Sequence, residues 1–299
     1  QISSTSAIRL HSILRAISGN LDVVGGETLG GFNPAYIPES ELALHERLSD
    51  EQKAKQLGFA DHPVFTYRTA EMLKDATNKV WGFPYADLVM GCHMANPTNV
   101  FRAMAKGDPY PIKALITLGN NTLLSYANQH QILQGLMNQE LIVAHEIFMT
   151  PTAMLADYVL PGDVFTERNH VADGWSWGNR LTLSQKVVEA PEHASSTFQF
   201  WTDLGRRMGL AEYFPWDTIE DMLDYRLSRS GRTFAEFEAA TFMEMPTPKF
   251  RKYRKHGFAT PSGKVELYSS VLEDLGFDPL PYYREGPMPN EEYPYAVFT

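Results

Sequence analysis

Of 299 residues only one is a cysteine, Cys92. A single thiol cannot close an intrachain disulfide, nor build a cysteine cage for zinc or an iron–sulfur cluster. Cys92 stands in GCHMANP with no base or second thiol at a recognisable spacing, and it reads as structural. Apolar runs of bilayer length are missing, so no direct membrane insertion is expected. The opening QISSTS is polar and carries neither a signal-like segment nor an initiator Met, as expected of a piece cut from a longer chain. Excess positive charge is absent as well. A net charge of −10 and a pI near 5.4 exclude the basic surface that a sequence-independent nucleic-acid binder needs. One basic run, Lys249 to His256, breaks the trend and reads as a solvated loop or as a contact with another part of the protein. The motifs HExxH, GxGxxG and GxxxxGK[ST] do not occur, and the histidines are scattered.

What is present centres on residues 113–167. Lys113 to Leu118 is a short apolar run followed by Gly119-Asn120-Asn121. Ser125 to Asn138 places Ile132, Leu133, Leu136 and Met137 at helical spacing. A second apolar run, Leu141 to Ala144, closes on His145-Glu146, and a third, Tyr158 to Leu160, stops at Pro161. Strand, helix, strand with short connections is a βαβ unit, which builds a parallel sheet with right-handed crossovers. Ligands of such sheets sit beyond the carboxyl ends of the strands. Gly119 to Asn121, His145-Glu146 and the loop from Pro161 to Arg168 should therefore share one rim, the expected binding site. Glycine lets a backbone approach a phosphate closely, and asparagine offers both donor and acceptor. An ordinary βα turn explains Gly119-Asn120-Asn121 equally well. Glu146 suits a ribose diol or a guanine edge.

Elsewhere, Ser6 to Ser18 is an amphipathic helix stopped by Gly19-Asn20, and a glycine-rich connection (Gly25, Gly26, Gly30, Gly31) follows. Ser49-Asp50-Glu51-Gln52 is a capping box. Residues 59–96 show no clear period. Pro97-Thr98-Asn99 opens a helix closed by Gly107, and Leu181 to Val188 reads as a strand. Ser196 caps a helix that stops at Gly209, and residues 210–260 read as a helical excursion with helices opening at Thr218 and Phe234.

Several stretches in order carry a resemblance. They are Ala16-Ile17-Ser18-Gly19-Asn20-Leu21-Asp22 with Gly25-Gly26, Tyr110 to Leu115, and Leu118 to Asn121. Val143 to Thr152, Ala156 to Pro161, Glu167, and Thr260-Pro261-Ser262-Gly263-Lys264-Val265-Glu266-Leu267-Tyr268 complete the set. Together they resemble the molybdopterin oxidoreductases of the dimethyl sulfoxide reductase family. Asn121-Thr122 replaces the family's Asn-Pro, Glu146 stands where Asp is common, and Thr197 sits near where some members use Asp for the guanine.

The resemblance implies an α/β fold with a parallel, doubly wound, Rossmann-like sheet, flanking helices and a helical excursion, within a larger multidomain enzyme. Residues 1–209 would belong to the dinucleotide-binding domain, 210–290 to the excursion and linker, and 291–299 to the first strand of a further domain, starting at Tyr293-Pro294-Tyr295. It implies molybdopterin guanine dinucleotide with molybdenum or tungsten, and a 4Fe-4S cluster in an N-terminal portion outside this chain. Gly119, Asn120 and Asn121 would meet the phosphate or pterin side, and His145 and Glu146 the guanosine. Thr150 and Thr152 would line the same pocket, and Arg168 would meet the guanine or diphosphate. Neither a catalytic residue nor the metal's ligand is expected here, so the chain alone should be inactive and hold no cofactor firmly. Partners would be the rest of its own chain and iron–sulfur electron-transfer and membrane-anchor subunits, with no nucleic acid. The resemblance leans towards the sulfur- and arsenic-compound reductases; a non-redox hydratase and a stand-alone nucleotide-binding module are the alternatives. Periplasmic and cytoplasmic locations both remain open.

Overall fold

The computed structural model describes residues 4–29, 35–85, 94–172, 180–240, 242–244, 249–283 and 288–295. A parallel sheet of β1 (Ala114–Leu118), β2 (Leu141–Glu146) and β3 (Tyr158–Pro161) runs in that spatial order. The register pairs Leu118 with His145 and Glu146 with Pro161, so all three strands end at one level. The helix Gln129–Met137 crosses over from β1 to β2, as the apolar spacing predicts. Its Ile132 and Leu136 are buried against Phe101 and Met104 of the helix Pro97–Lys106 and against Ile142 of β2. Truncating a side chain buried like Leu136 to alanine costs about 2–5 kcal/mol. Gly135 sets the distance between the two helices: a Cβ there would lie 2.9 Å from Met104 Cβ. The expected parallel α/β arrangement is observed.

A second sheet was not foreseen. β4 (His170–Ala172), β5 (Arg180–Ser184) and β6 (Phe242–Glu244) pair antiparallel with β5 in the middle. Residues 210–260 do contain the helices Ile219–Leu227 and Phe234–Ala240, but they also supply β6. Those helices bury Leu223, Leu227, Phe234 and Phe237 against Val171, Leu181 and Leu183 of the sheet, so one core draws on residues from either side of 209. β5 ends at Ser184, short of Val188.

The helix Tyr67–Trp81 is a correction to the reading of 59–96. Its buried face mixes Tyr67 and Ala70 with Thr69 and Thr77, which dilutes the apolar period. Both threonines are satisfied locally, Thr69 Oγ1 donating to Pro63 O (2.9 Å) and Thr77 Oγ1 to Leu73 O (2.8 Å). The expected caps are seen elsewhere. Gly19 takes a φ of +75° after the helix Ser4–Ile17, and Ser49 and Gln52 exchange both capping-box bonds (3.2 and 2.8 Å). Tyr293 to Tyr295 do not form a strand, and Gly30, Gly31, Cys92 and residues 296–299 lie outside the described residues. Among the described residues no helix is long and apolar enough to cross a membrane, and no cluster of three or more metal-binding side chains occurs.

Candidate functional site

Because the strands end in register, the loops that follow them face one another across a pocket of about 270 Å³. From β1 come Leu118 and Gly119. Gly119 takes a φ of +56° and donates its N–H to His145 O (3.0 Å), which carries the ladder one step past the strand. From β2 come His145, Glu146 and Ile147, and from the loop after β3 Gly162, Asp163 and Arg168. Thr197, the first residue of the helix Thr197–Arg207, closes the ring.

His145 is buried, with Nε2 2.8 Å from Ser195 O and 3.2 Å from Ser195 Oγ. A carbonyl oxygen only accepts, so Nε2 carries a proton and donates it to Ser195 O. The ring lies against Gly162, where an added Cβ would be 3.0 Å from Cε1 and 3.2 Å from Nδ1. Phe200 packs on it with ring centroids 5.6 Å apart. Ser195 is itself held by its backbone: its N–H donates to Pro161 O (3.0 Å), and Asp163 N–H donates to its carbonyl (3.2 Å).

Glu146 is 7% exposed, and its carboxylate has no hydrogen bond or ion pair among the described residues. Arg168 is not available as a bare cation. Its Nη1 donates to the buried Asp163 carboxylate and to Asp163 O (3.3 Å). With that pair neutralised, Glu146 leaves the pocket with an excess negative charge. Ser196 Oγ accepts from Gln199 N (3.0 Å), while the Thr197 and Phe198 amides belong to the first helical turn and have no partner within the helix. The site therefore places an uncompensated acceptor, Glu146, beside the first turn of a helix.

Four expected residues take another position. Asn120, Asn121, Thr150 and Thr152 do not line the pocket. Thr152, fully buried, donates to Asn121 Oδ1 (2.9 Å) and accepts from Leu123 N (2.9 Å). Asn120 Oδ1 accepts from Thr122 Oγ1 (3.2 Å), and Thr150 Oγ1 accepts from Ala153 N (3.1 Å). The Thr152 bonds tie the loop after β1 to the loop after β2, and the other two are local to each loop. Ser195 gave no sequence signal, since its role runs through a backbone carbonyl. Asp163 had one: it follows a strand-ending proline and glycine.

In open parallel α/β sheets ligands bind beyond the carboxyl ends of the strands, which is where this pocket lies. The family described as molybdopterin oxidoreductase matches residues 46–207, and the chain belongs to that family. The acetylene hydratase of Syntrophotalea acetylenica is 45% identical over all of this chain and 42% of its own length. Similarity extends at 28% to the thiosulfate reductase molybdopterin-containing subunit PhsA of Salmonella typhimurium, over 56% of this chain and 25% of that one. It extends at 27% to the dimethyl sulfoxide reductase DmsA of Escherichia coli, over 96% and 37%. The solved acetylene hydratase from Pelobacter acetylenicus superposes with a TM-score of 0.90 at 45% identity, covering 98% of this chain and 40% of that one. The chain thus spans about two fifths of the length of the hydratases it matches.

Proposed function

We propose that the pocket holds the guanosine end of one arm of a molybdopterin guanine dinucleotide. The observation that carries this reading is Glu146, a buried carboxylate without a partner among the described residues, facing a pocket of nucleoside size. A carboxylate so placed calls for a ligand with paired donors, such as a ribose diol or the N–H edge of guanine. A phosphate is a poor occupant, because Asp163 already neutralises Arg168 and Glu146 would repel it. The diphosphate instead passes over Gly119, where positive φ and the missing side chain let it approach the end of β1. Asn120, Asn121, Thr150 and Thr152 hold that passage in shape. His145 orients the purine side, and Arg168, positioned by Asp163, borders it. When bound, the cofactor would supply the reacting metal, molybdenum or tungsten: water activation in a hydratase, two-electron or oxygen-atom transfer in a reductase. This chain's residues grip the nucleotide and touch none of the reacting atoms.

For the whole protein we infer a pterin-dependent hydratase, because identity is 45% to acetylene hydratase and 27–28% to the reductases. The likeness to PhsA and DmsA supports a second reading, a reductase served by iron–sulfur partner subunits. Both readings place a 4Fe-4S cluster outside this chain. The test is to denature the purified complete enzyme in acid, separate the released nucleotides, and measure molybdenum and tungsten. Guanosine monophosphate together with metal is expected; an adenine nucleotide, or none, overturns the proposal. Conversion of acetylene without any added electron acceptor supports the hydratase, and strictly acceptor-dependent turnover supports the reductase.

A further inference from the structure

We propose that the turn at 249–256, away from the pocket, is a docking surface for a protein partner that presents a carboxylate-rich patch. The run KFRKYRKH holds five Lys and Arg and no acid, in a chain whose net charge is −10. Lys252 is accounted for: its Nζ lies 2.7 Å from Asp22 Oδ1, and its N–H donates to Asp22 Oδ2 (2.6 Å). Asp22 has no exposed surface, and its backbone carbonyl also accepts from Arg251 N (2.8 Å). Those three bonds pin the turn to the glycine-rich loop.

The other four cations, Lys249, Arg251, Arg254 and Lys255, are exposed and make no ion pair among the described residues. The turn that carries them is tightly tied: Arg254 N donates to Arg251 O (3.0 Å), Gly257 N to Tyr253 O (2.8 Å), and Tyr253 stacks on Phe258 at 5.1 Å. Like charges crowded on a fixed turn repel one another, and a partner of opposite charge relieves the part of that repulsion that solvent and salt leave unscreened. Because the backbone is already ordered, docking demands little further loss of chain entropy.

The size of the patch selects the partner class. A nucleic acid or an anionic bilayer extends well beyond four cations and would meet the acidic remainder of the chain. A discrete acidic patch on a folded protein matches the cluster without that clash, and such complementarity steers encounter.

The test uses the complete enzyme with its cofactor, at low ionic strength. Fluorescence anisotropy reports binding of fluorescein-labelled deca-glutamate, with a labelled dT decamer and phosphatidylserine vesicles titrated in parallel. Deca-glutamate should bind, weaken at least tenfold between 20 and 200 mM salt (on the order expected when several charge pairs are screened), and weaken at least fivefold in R254E/K255E. The variant must keep its melting temperature and metal content; K249E, altering the other end of the run, serves as the second variant. Equal binding by wild type and both variants overturns the proposal. Tighter binding of the dT decamer or of the vesicles also overturns it, in favour of a nucleic-acid or lipid surface.

Discussion

Replacing Glu146 by Gln separates a ligand-binding carboxylate from a structural one. The side chain is 7% exposed, lines the pocket and has no partner among the described residues. Hydrogen bonds to a charged group contribute about 1.5–3 kcal/mol and neutral ones about 0.5–1.5, so removing the charge should weaken nucleotide binding by roughly 1–1.5 kcal/mol, or about tenfold. In the cofactor-free protein the sign reverses. Gln leaves no uncompensated charge in a buried position, so stability should stay level or rise by about 1 kcal/mol. For a domain of this size that is a gain of about 2–4 °C in melting temperature. The assay measures guanine nucleotide retained per enzyme after dialysis and the melting temperature of the cofactor-free form. A variant that retains the cofactor like the wild type and melts earlier would refute the reasoning, because the carboxylate would then serve the fold.

Three further substitutions probe the scaffold. Gly162→Ala drives a methyl group to 3.0 Å from the His145 ring, which Ser195 holds in place, and should cost about 1–3 kcal/mol and lower cofactor retention; an unchanged denaturation midpoint would contradict the packing. Gly135→Ala should destabilise although alanine is favoured over glycine in a helix by about 1 kcal/mol, because its Cβ meets Met104 Cβ at 2.9 Å; urea unfolding gives the sign directly. Glu71→Gln strands the buried Lys53, whose Nζ sits 2.5 Å from Glu71 Oε1, and should cost about 3 kcal/mol in the same urea assay. Burial alone would raise the Glu71 carboxyl, but hydrogen bonds from Lys53, Lys74 and Tyr85 prevail and hold it near 2, below its ordinary 4.5. The contribution is complete above pH 4.5 and fades as pH falls towards 2. Wild type should lose stability faster than E71Q across that window, and parallel pH profiles would exclude the pair as the cause.

The parallel sheet was legible because its strands are short apolar runs with punctuation at their carboxyl ends, Gly119 after β1 and Pro161 closing β3. The helix Tyr67–Trp81 was not, since its inward face spends positions on Thr69 and Thr77. Its caps, Thr66 and Gly82 with a φ of +88°, were the available signal. β4 and β6 span three residues each and exist through pairing with β5, the latter across a separation of about sixty positions that no local pattern encodes. In the site, Gly119, His145, Glu146 and Arg168 were legible from their places at strand ends, and they meet at one pocket. For Asn121 the chemistry, and for Thr152 the family resemblance, suggests a ligand contact; the bond between their side chains depends on geometry that residue type leaves undecided. The neutralising role of Asp163 was hidden for the same reason.

A crystal structure of the complete, cofactor-loaded enzyme measures the geometry of the pocket directly. A ribose hydroxyl or purine N–H should lie within about 3.2 Å of the Glu146 carboxylate, with Arg168 still paired to Asp163. A nucleoside bound away from the ends of β1 and β2, or a phosphate in this pocket held by an Arg168 released from Asp163, would contradict it.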